Sequence, residues 1–419
     1  MPKTFPIKTA TACQLKWTWS TLFLTNGTTS SCHRVGKHPL LLDDFDSFHN
    51  TPEKISQRKT MLKGEWPQPL PYMTEDEGCR YCQKIEEVGG QSDRMFHSQI
   101  PDLSPKELDT DPTATRVTPK IIEVYLNNTC NLSCTYCDAN ISSRIEFENK
   151  KFGPFEKNGF SLMPIQVDRV QTQQYIEKFF LWLEKNSSEL KRLHLLGGEP
   201  LYQKEFYRCM DILTATPNKD LELNLVTNLM ISTENLEKNI NQWKSMLLNR
   251  RIKRIDITVS LDCWGPEQEY ARYGLKLDLI ERNMQALINN PWICLNINST
   301  LSPLTIKTFS DLIDRINQWK TQGKINHYFG SVFMPQHHNP GIFGSGFWEK
   351  DLNLALERMP DTTWQEKNAR NYLSGIASQI QNSCKNPEMI LQLHTHLDEL
   401  DRRRGTNWRQ LFPYLETEI

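Results

Sequence analysis

No stretch of the 419-residue chain is apolar enough to cross a bilayer. The densest apolar run, Phe179 to Leu183, is far shorter than the roughly 20 residues that a spanning helix needs. Met1 to Thr11 carries two lysines but no apolar core of export-signal length, so the expectation is a cytoplasmic protein with no membrane partner. An excess of one charge is also missing: the formal net charge is -1 with 24% charged residues. That balance speaks against nucleic acid as the default partner. Internal repeats and low-complexity tracts are absent too, which excludes solenoids and arrays.

Cysteine, by contrast, is plentiful. Eleven cysteines is an odd count, and without an export signal it argues for metal or redox chemistry over a disulfide framework. Cys13, Cys32, Cys79, Cys82, Cys130, Cys134 and Cys137 fall at patterned positions, whereas Cys209, Cys263, Cys294 and Cys384 are scattered.

The apolar pattern predicts an α/β protein. Strand-like runs at Ile121 to Leu126, Leu193 to Leu196, Leu221 to Thr227, Ile255 to Leu261, Ile293 to Ile297 and Tyr328 to Phe333 alternate with helical periodicity. Six βα units are too few for a closed eight-stranded barrel, so an open, partial (β/α)6 TIM-like barrel is expected over 120–335. Before it, 1–100 reads as a small cysteine-rich α+β domain, joined by an extended linker at Pro101 to Pro119. After it, 336–419 reads as a lid-like loop, with His337 and His338, followed by a charged, solvated helical extension.

Alternation within the strands is sharper still. Ile255, Ile257, Val259 and Leu261 share one face while Arg254, Asp256, Thr258 and Ser260 share the other; Ile293, Leu295 and Ile297 oppose Cys294, Asn296 and Asn298. Strands buried on both faces read as continuous apolar runs. Here the polar face is expected to line a lumen, with a partly exposed sheet as the alternative.

The first strand runs directly into Cys-Asn-Leu-Ser-Cys-Thr-Tyr-Cys, Cys130 to Cys137. Three thiolates on one loop can hold three corners of an iron-sulfur cube and leave the fourth iron open. Zinc is the competing reading, but closed zinc sites take four ligands. The triplet, with Tyr136 before its last cysteine, resembles the signature of radical S-adenosylmethionine (SAM) enzymes. Gly197-Gly198-Glu199-Pro200, at the end of the second strand, is similar to that superfamily's Gly-Gly-Glu motif. The resemblance implies that this turn's backbone and the Glu199 carboxylate receive the methionine amino group. It continues through Val226-Thr227-Asn228 and Ser260-Leu261-Asp262, with Ser260 toward the ribose hydroxyls and Arg272 toward the methionine carboxylate. A solvated helix arginine is the alternative for Arg272. Cys263 stands where many relatives have glycine.

Cys13, Gly27, Cys32 and the Cys79-Arg-Tyr-Cys82 pair are similar to the SPASM/twitch domain, which implies an auxiliary 4Fe-4S cluster. In most relatives that domain follows the barrel, whereas here it precedes it, and a structural zinc ribbon is the rival. Leu22 to Leu24 followed by Thr25-Asn26-Gly27 reads as a strand entering a tight turn that returns Cys32 to Cys13.

The whole resemblance implies reductive cleavage of SAM and hydrogen abstraction from a peptide or small metabolite, with the auxiliary cluster aiding oxidation or crosslinking. A flavodoxin- or ferredoxin-like electron donor is implied as well. Asp256, Glu222 and His194 are candidate acids or bases, and Cys294 a candidate hydrogen-atom or sulfur donor, with packing as the alternative for the cysteine. Two other readings stay open: a tRNA-modifying radical SAM enzyme, and a zinc-stabilised RNA-binding protein without catalysis.

Overall fold

The structure is a computed structural model that describes residues 9–32, 35–69, 78–87, 89, 92, 94–95 and 115–416; linker residues 101–114 lie outside the described residues. Its main sheet comprises β1 (Trp19–Phe23), β2 (Thr28–Ser30), β3 (His38–Pro39), β4 (Ile121–Tyr125), β5 (Arg192–Leu196), β6 (Glu222–Thr227), β7 (Arg254–Ser260), β8 (Cys294–Leu301) and β9 (Ile325–Ser331). The spatial order is β9-β8-β7-β6-β5-β4-β1-β2-β3. From β9 to β1 every pairing is parallel, and β2 and β3 continue antiparallel.

The helices of eight residues or more are α1 (Pro52–Leu62), α2 (Cys79–Glu87), α3 (Ser143–Phe152), α4 (Arg169–Asn186), α5 (Lys204–Ala215), α6 (Thr233–Leu248), α7 (Leu277–Ile288), α8 (Phe309–Lys320), α9 (Glu349–Arg358), α10 (Trp364–Gln381) and α11 (Pro387–Arg404), among the described residues. Ile176, Phe179, Phe180 and Leu183 of α4, and Phe309, Leu312, Ile313, Ile316 and Trp319 of α8, are buried in one core with Leu193, Leu195, Ile255, Ile257, Val259, Leu295 and Ile297. Amphipathic helices therefore cover the apolar face of the sheet, as the strand alternation requires.

Three features differ from the sequence reading. The sheet has seven parallel strands, because β1 pairs with β4 in register from Trp19↔Ile121 to Phe23↔Tyr125. The sheet thus crosses the boundary drawn between 1–100 and 120–335. The last strand lies at Ile325–Ser331, three residues before the apolar run Tyr328 to Phe333 suggested. Finally, the C-terminal helices are not a solvated tail: Leu352, Leu373, Ile390, Leu393, Leu397, Trp408 and Phe412 join the same core. Their charged faces are spent on ion pairs, Arg404 with Glu148 of α3 at 2.9 Å among them.

Candidate metal centres and cofactor site

Parallel strands place all their C-terminal ends on one edge, where loops can converge on a ligand. The Cys130 to Cys137 loop leaves β4 at this edge. Asn128 closes its base, donating to the Ala139 carbonyl and to Glu146, both at 2.8 Å. Ser142 caps α3 by accepting from the Ile145 amide at 3.3 Å, and donates to the Leu132 carbonyl at 2.8 Å. Within the loop, Ser133–Cys134 forms a two-residue ribbon with Arg272–Tyr273.

The other motif residues arrive from neighbouring strand ends. Gly197 and Gly198, after β5, both have positive φ, +84° and +60°. A Cβ on Gly198 would stand 2.4 Å from the Thr129 carbonyl oxygen, so only glycine lets this turn lie against the residue before Cys130. Pro200 opens the short 3-10 turn Pro200–Tyr202 that follows. Asn228, after β6, directs its amide at Asn131 Oδ1 (2.8 Å) and at Cys130 Sγ (3.9 Å). Ser260 closes β7, half-buried and in register with Asn298.

Asp262 lies two residues beyond and is fully buried. Its Oδ2 accepts from the Tyr136 hydroxyl at 2.5 Å and from Arg272 Nε at 2.8 Å; its Oδ1 accepts from Arg272 Nη2 and from the Thr300 amide, each at 2.9 Å. Arg272 is therefore neither solvated nor helical: it sits in the ribbon, buried, with Nη1 4.0 Å from Cys134 Sγ. At Cys263 the turn is held by buried Gln268, whose Oε1 accepts from the Asp262 and Cys263 amides, both at 3.1 Å. Gln203 plays a similar part, donating to the Gly197 carbonyl at 2.8 Å and to those of Asn127 and Thr129 at 3.2 Å. Neither glutamine carries a local sequence signal, since an amide clamp has no characteristic spacing.

Glu199 is buried, and three donors converge on its carboxyl group: Thr227 Oγ1 (2.7 Å), the Asn228 amide (2.6 Å) and the Leu201 amide (3.1 Å). Burial outweighs those bonds and lifts its pKa to about 7. A carboxyl whose pKa is raised on folding adds stability that is complete below the unfolded value and vanishes as pH climbs through the folded one. The unfolding free energy should thus fall between about pH 4.5 and 7, by at most about 1.4 kcal/mol per pH unit. Chemical unfolding at a series of pH values checks this, and Glu199→Gln should flatten the slope.

At the opposite, N-terminal edge of the strands lies the second cysteine group. The hairpin from β1 to β2 turns through Gly27 at φ +62° and returns Cys32 toward Cys13. Cys13, Cys32, Cys79 and Cys82 line one small pocket, together with Lys16, Trp66 and Arg94. Burial pushes the Cys13 thiol up to about 12, with Cys32 and Cys79 adding to the effect. Burial does the same to Cys130, also to about 12. Such crowded thiols ionise only when a cation compensates them. Beside this space Lys16, Lys54 and Arg58 are at most 2% exposed. Lys54 donates to Ser20, Thr29 and the Phe48 carbonyl, and Arg58 to carbonyls of Lys16, His49 and Thr115 and to Asn50. These bonds engage neutral acceptors, and burial with the like charges of Lys16 and Arg58 pushes the Lys54 pKa well below the usual lysine value; of the cations here, Lys16 and Arg94 are the ones that line the cysteine pocket.

A single zinc ion at about 2.3 Å from each sulfur needs neighbouring sulfurs about 3.8 Å apart. Among the described residues no three cysteine sulfurs lie within 4.8 Å of one another. Both groups are spaced more widely than one zinc ion requires.

Between the two edges runs the polar face. His194, Asn224, Asp256 and Cys294 form one row across β5 to β8 in register. Below it Glu222 is clasped by Arg192 (2.5 Å) and Arg254 (3.1 Å), and Arg254 also holds Asp256 at 2.9 Å. Burial and the adjacent Asp256 push the Cys294 thiol up to about 12. Asp256 and Cys294 therefore meet one another, yet Asp256 lies four residues before the end of β7, roughly 13 Å from the Cys130 edge. Cys209 is packed in the core.

His337 and His338, expected in a lid, are buried against His396 of α11. The two histidines are thereby taken off the surface, while Phe333, Met334 and Gln336 just before them stay exposed.

No protein-family model and no curated protein sequence matches the chain. Among solved structures, Streptococcus suis SuiB bound to S-adenosylmethionine is matched at 13% identity over 64% of this chain and 47% of that one, with a TM-score of 0.35. SuiB bound to its precursor peptide SuiA is matched at 11% identity over 68% and 55%, TM-score 0.33. The Escherichia coli coproporphyrinogen III oxidase HemN, a radical SAM enzyme, is matched at 13% identity over 61% and 54%, TM-score 0.34. The chain spans about half the length of these structures, and the superpositions are loose. Among the described residues no helix is long and apolar enough to cross a membrane.

Proposed function

We propose that the chain is a radical SAM enzyme with an auxiliary cluster. Cys130, Cys134 and Cys137 would hold a 4Fe-4S cluster whose open iron takes SAM, and with one electron from an external donor the bound group would supply the radical chemistry that abstracts hydrogen from substrate. The observation that carries this reading is the convergence on one loop: Asn228 on Cys130, Arg272 on Cys134 and Gly198 against Thr129.

Each neighbouring residue has a part that its contacts suit. Asp262 fixes Tyr136 and Arg272 and so sets the orientation of the loop. Glu199 ties the Gly-Gly turn to the end of β6 and leaves that turn's backbone to meet an amino group. Ser260 and Asn298 offer polar groups at the mouth of the lumen. Cys13, Cys32, Cys79 and Cys82 would hold the auxiliary cluster, with Lys16 and Arg94 offsetting its charge. The polar face between the two centres suits a peptide or small polar metabolite, with Asp256 and Cys294 at its deeper end. An electron donor of the flavodoxin or ferredoxin kind would supply the reducing electron.

Anaerobic purification with iron and sulfide analysis is the test. About eight irons per chain, with SAM cleaved on reduction, is the expected result for two such clusters. Cys13→Ala should remove about half the iron and retain SAM cleavage, whereas Cys134→Ala should abolish cleavage. Stoichiometric zinc in place of iron would overturn the reading.

A further inference from the structure

We infer that His337, His338 and His396 form a third metal site, one that takes a borderline divalent cation such as Zn2+ and is independent of both cysteine groups. The three residues come from distant points. His337 and His338 lie in the 3-10 turn Gln336–His338 that follows β9, and His396 is in the middle of α11. All are buried, at 7%, 0% and 6% exposure.

Two of their nitrogens close on the third. His337 Nε2 and His338 Nε2 lie 2.9 and 3.1 Å from His396 Nδ1. The ring centroids make a nearly equilateral triangle of 4.9, 5.0 and 5.2 Å, and His396 meets the other two rings edge-on, at 79° and 88°. Rings packed only for burial have no need to turn their nitrogens to one place.

A linear hydrogen bond between neutral rings can satisfy only one of these two contacts. A neutral imidazole has one N–H and one lone pair, so His396 Nδ1 can serve as acceptor to one of its two neighbours. The other contact then sets two like groups against each other in a dry interior, where an unmade bond is costly. Protonating a ring would supply a donor, but only by placing a charge in a buried site that holds no acid within the trio. A cation among the three accepts a lone pair from each and removes the conflict.

The dimensions and surroundings agree. Ligand nitrogens at about 2.0–2.1 Å from a tetrahedral Zn2+ lie about 3.3 Å apart, against 2.9 and 3.1 Å for the two contacts to His396 here, with all three nitrogens within 4.8 Å of one another. Imidazole is a ligand that first-row divalent ions of this class accept well. Phe160 stacks on His396 at 4.6 Å and stands edge-on to His337 at 5.1 Å, shielding the site from water. The nearby cations Arg403 and Arg404 pair with Glu399, which Arg402 shares, and with Glu148, so their charge is offset in part. Three protein ligands leave a fourth position for water or another small ligand.

Such an ion would staple the turn after β9 to α11. That helix ends at Arg404, which lies over the Tyr273 ring at 4.9 Å, beside the ribbon that carries Arg272. The site would therefore brace the cysteine loop from behind.

The test uses the full chain with its cysteines first loaded anaerobically with iron and sulfide, then equilibrated with Zn2+ or Co2+ and desalted. One Zn2+ per chain is expected beyond the iron, with only nitrogen and oxygen ligands in its X-ray absorption spectrum. Co2+ in its place should give visible bands without thiolate charge transfer. His396→Ala, and the gentler His337→Ala and His396→Gln, should each lose this ion and keep the iron. Failure of the wild type to retain Zn2+, sulfur among its ligands, or equal retention by folded His396 variants would overturn the proposal. Should His396→Ala fail to fold, the wild-type spectrum still decides.

Discussion

Replacing Asp262 with alanine is expected to destabilise the folded chain by about 3–5 kcal/mol, the range for breaking a buried ion pair by removing one partner. Urea unfolding, with an unchanged slope and a lower midpoint, is the measurement. The size follows from what is left behind. Arg272 is 8% exposed and both of its bonds to carboxylate oxygens, 2.8 and 2.9 Å, end on Asp262. Without them a guanidinium remains in a low-dielectric site, where its charge cannot be discarded because arginine stays protonated. Tyr136 and the Thr300 amide lose their acceptor at the same time. Asp262→Asn should fall between, since it preserves an acceptor oxygen and removes the charge. A loss below about 1 kcal/mol for the alanine variant would mean that water enters the site and the pair is worth no more than a surface one.

The strand-end motifs were legible because each is a local string with its own periodicity. Ile255, Ile257 and Val259 mark a pleat, and the Ser-Leu-Asp that follows stands where the pleat ends. The pairing of β1 with β4 was not legible in the same way. Trp19 to Phe23 has no clean alternation, and its partner lies about a hundred residues away, so only tertiary contact fixes the parallel register. Arg272 was ambiguous because its ribbon is two residues long, too short to show any period. The C-terminal helices read as solvated since more than half of each is polar, yet an 18-residue helix needs only one apolar stripe, such as Ile390, Leu393, Leu397 and Leu400, to join a core. The histidine trio was half visible: His337 and His338 are adjacent, but nothing near His396 announces which turn its ring will meet.

Gly198→Ala is expected to disable the Cys130 centre while leaving the Cys13 group intact. Two separate penalties meet at this glycine. Its φ of +60° costs any residue with a Cβ about 1 kcal/mol or more. The added Cβ would also lie 2.4 Å from the Thr129 carbonyl oxygen and 2.7 Å from Gln203 Nε2. Neither obstacle yields easily, because the same oxygen accepts from the Glu199 amide at 2.8 Å and from Gln203 at 3.2 Å. Relief therefore requires Thr129 to move, and Cys130 is bonded to it. Gly64→Ala separates the two penalties: that residue has φ +80° but nothing within 4 Å of a built Cβ. It should be slightly destabilised and retain full iron and SAM cleavage, whereas Gly198→Ala should retain about half the iron and lose cleavage. Equal behaviour of the two variants would assign the effect to backbone strain alone and dissolve the link between the Gly-Gly turn and the cysteine loop.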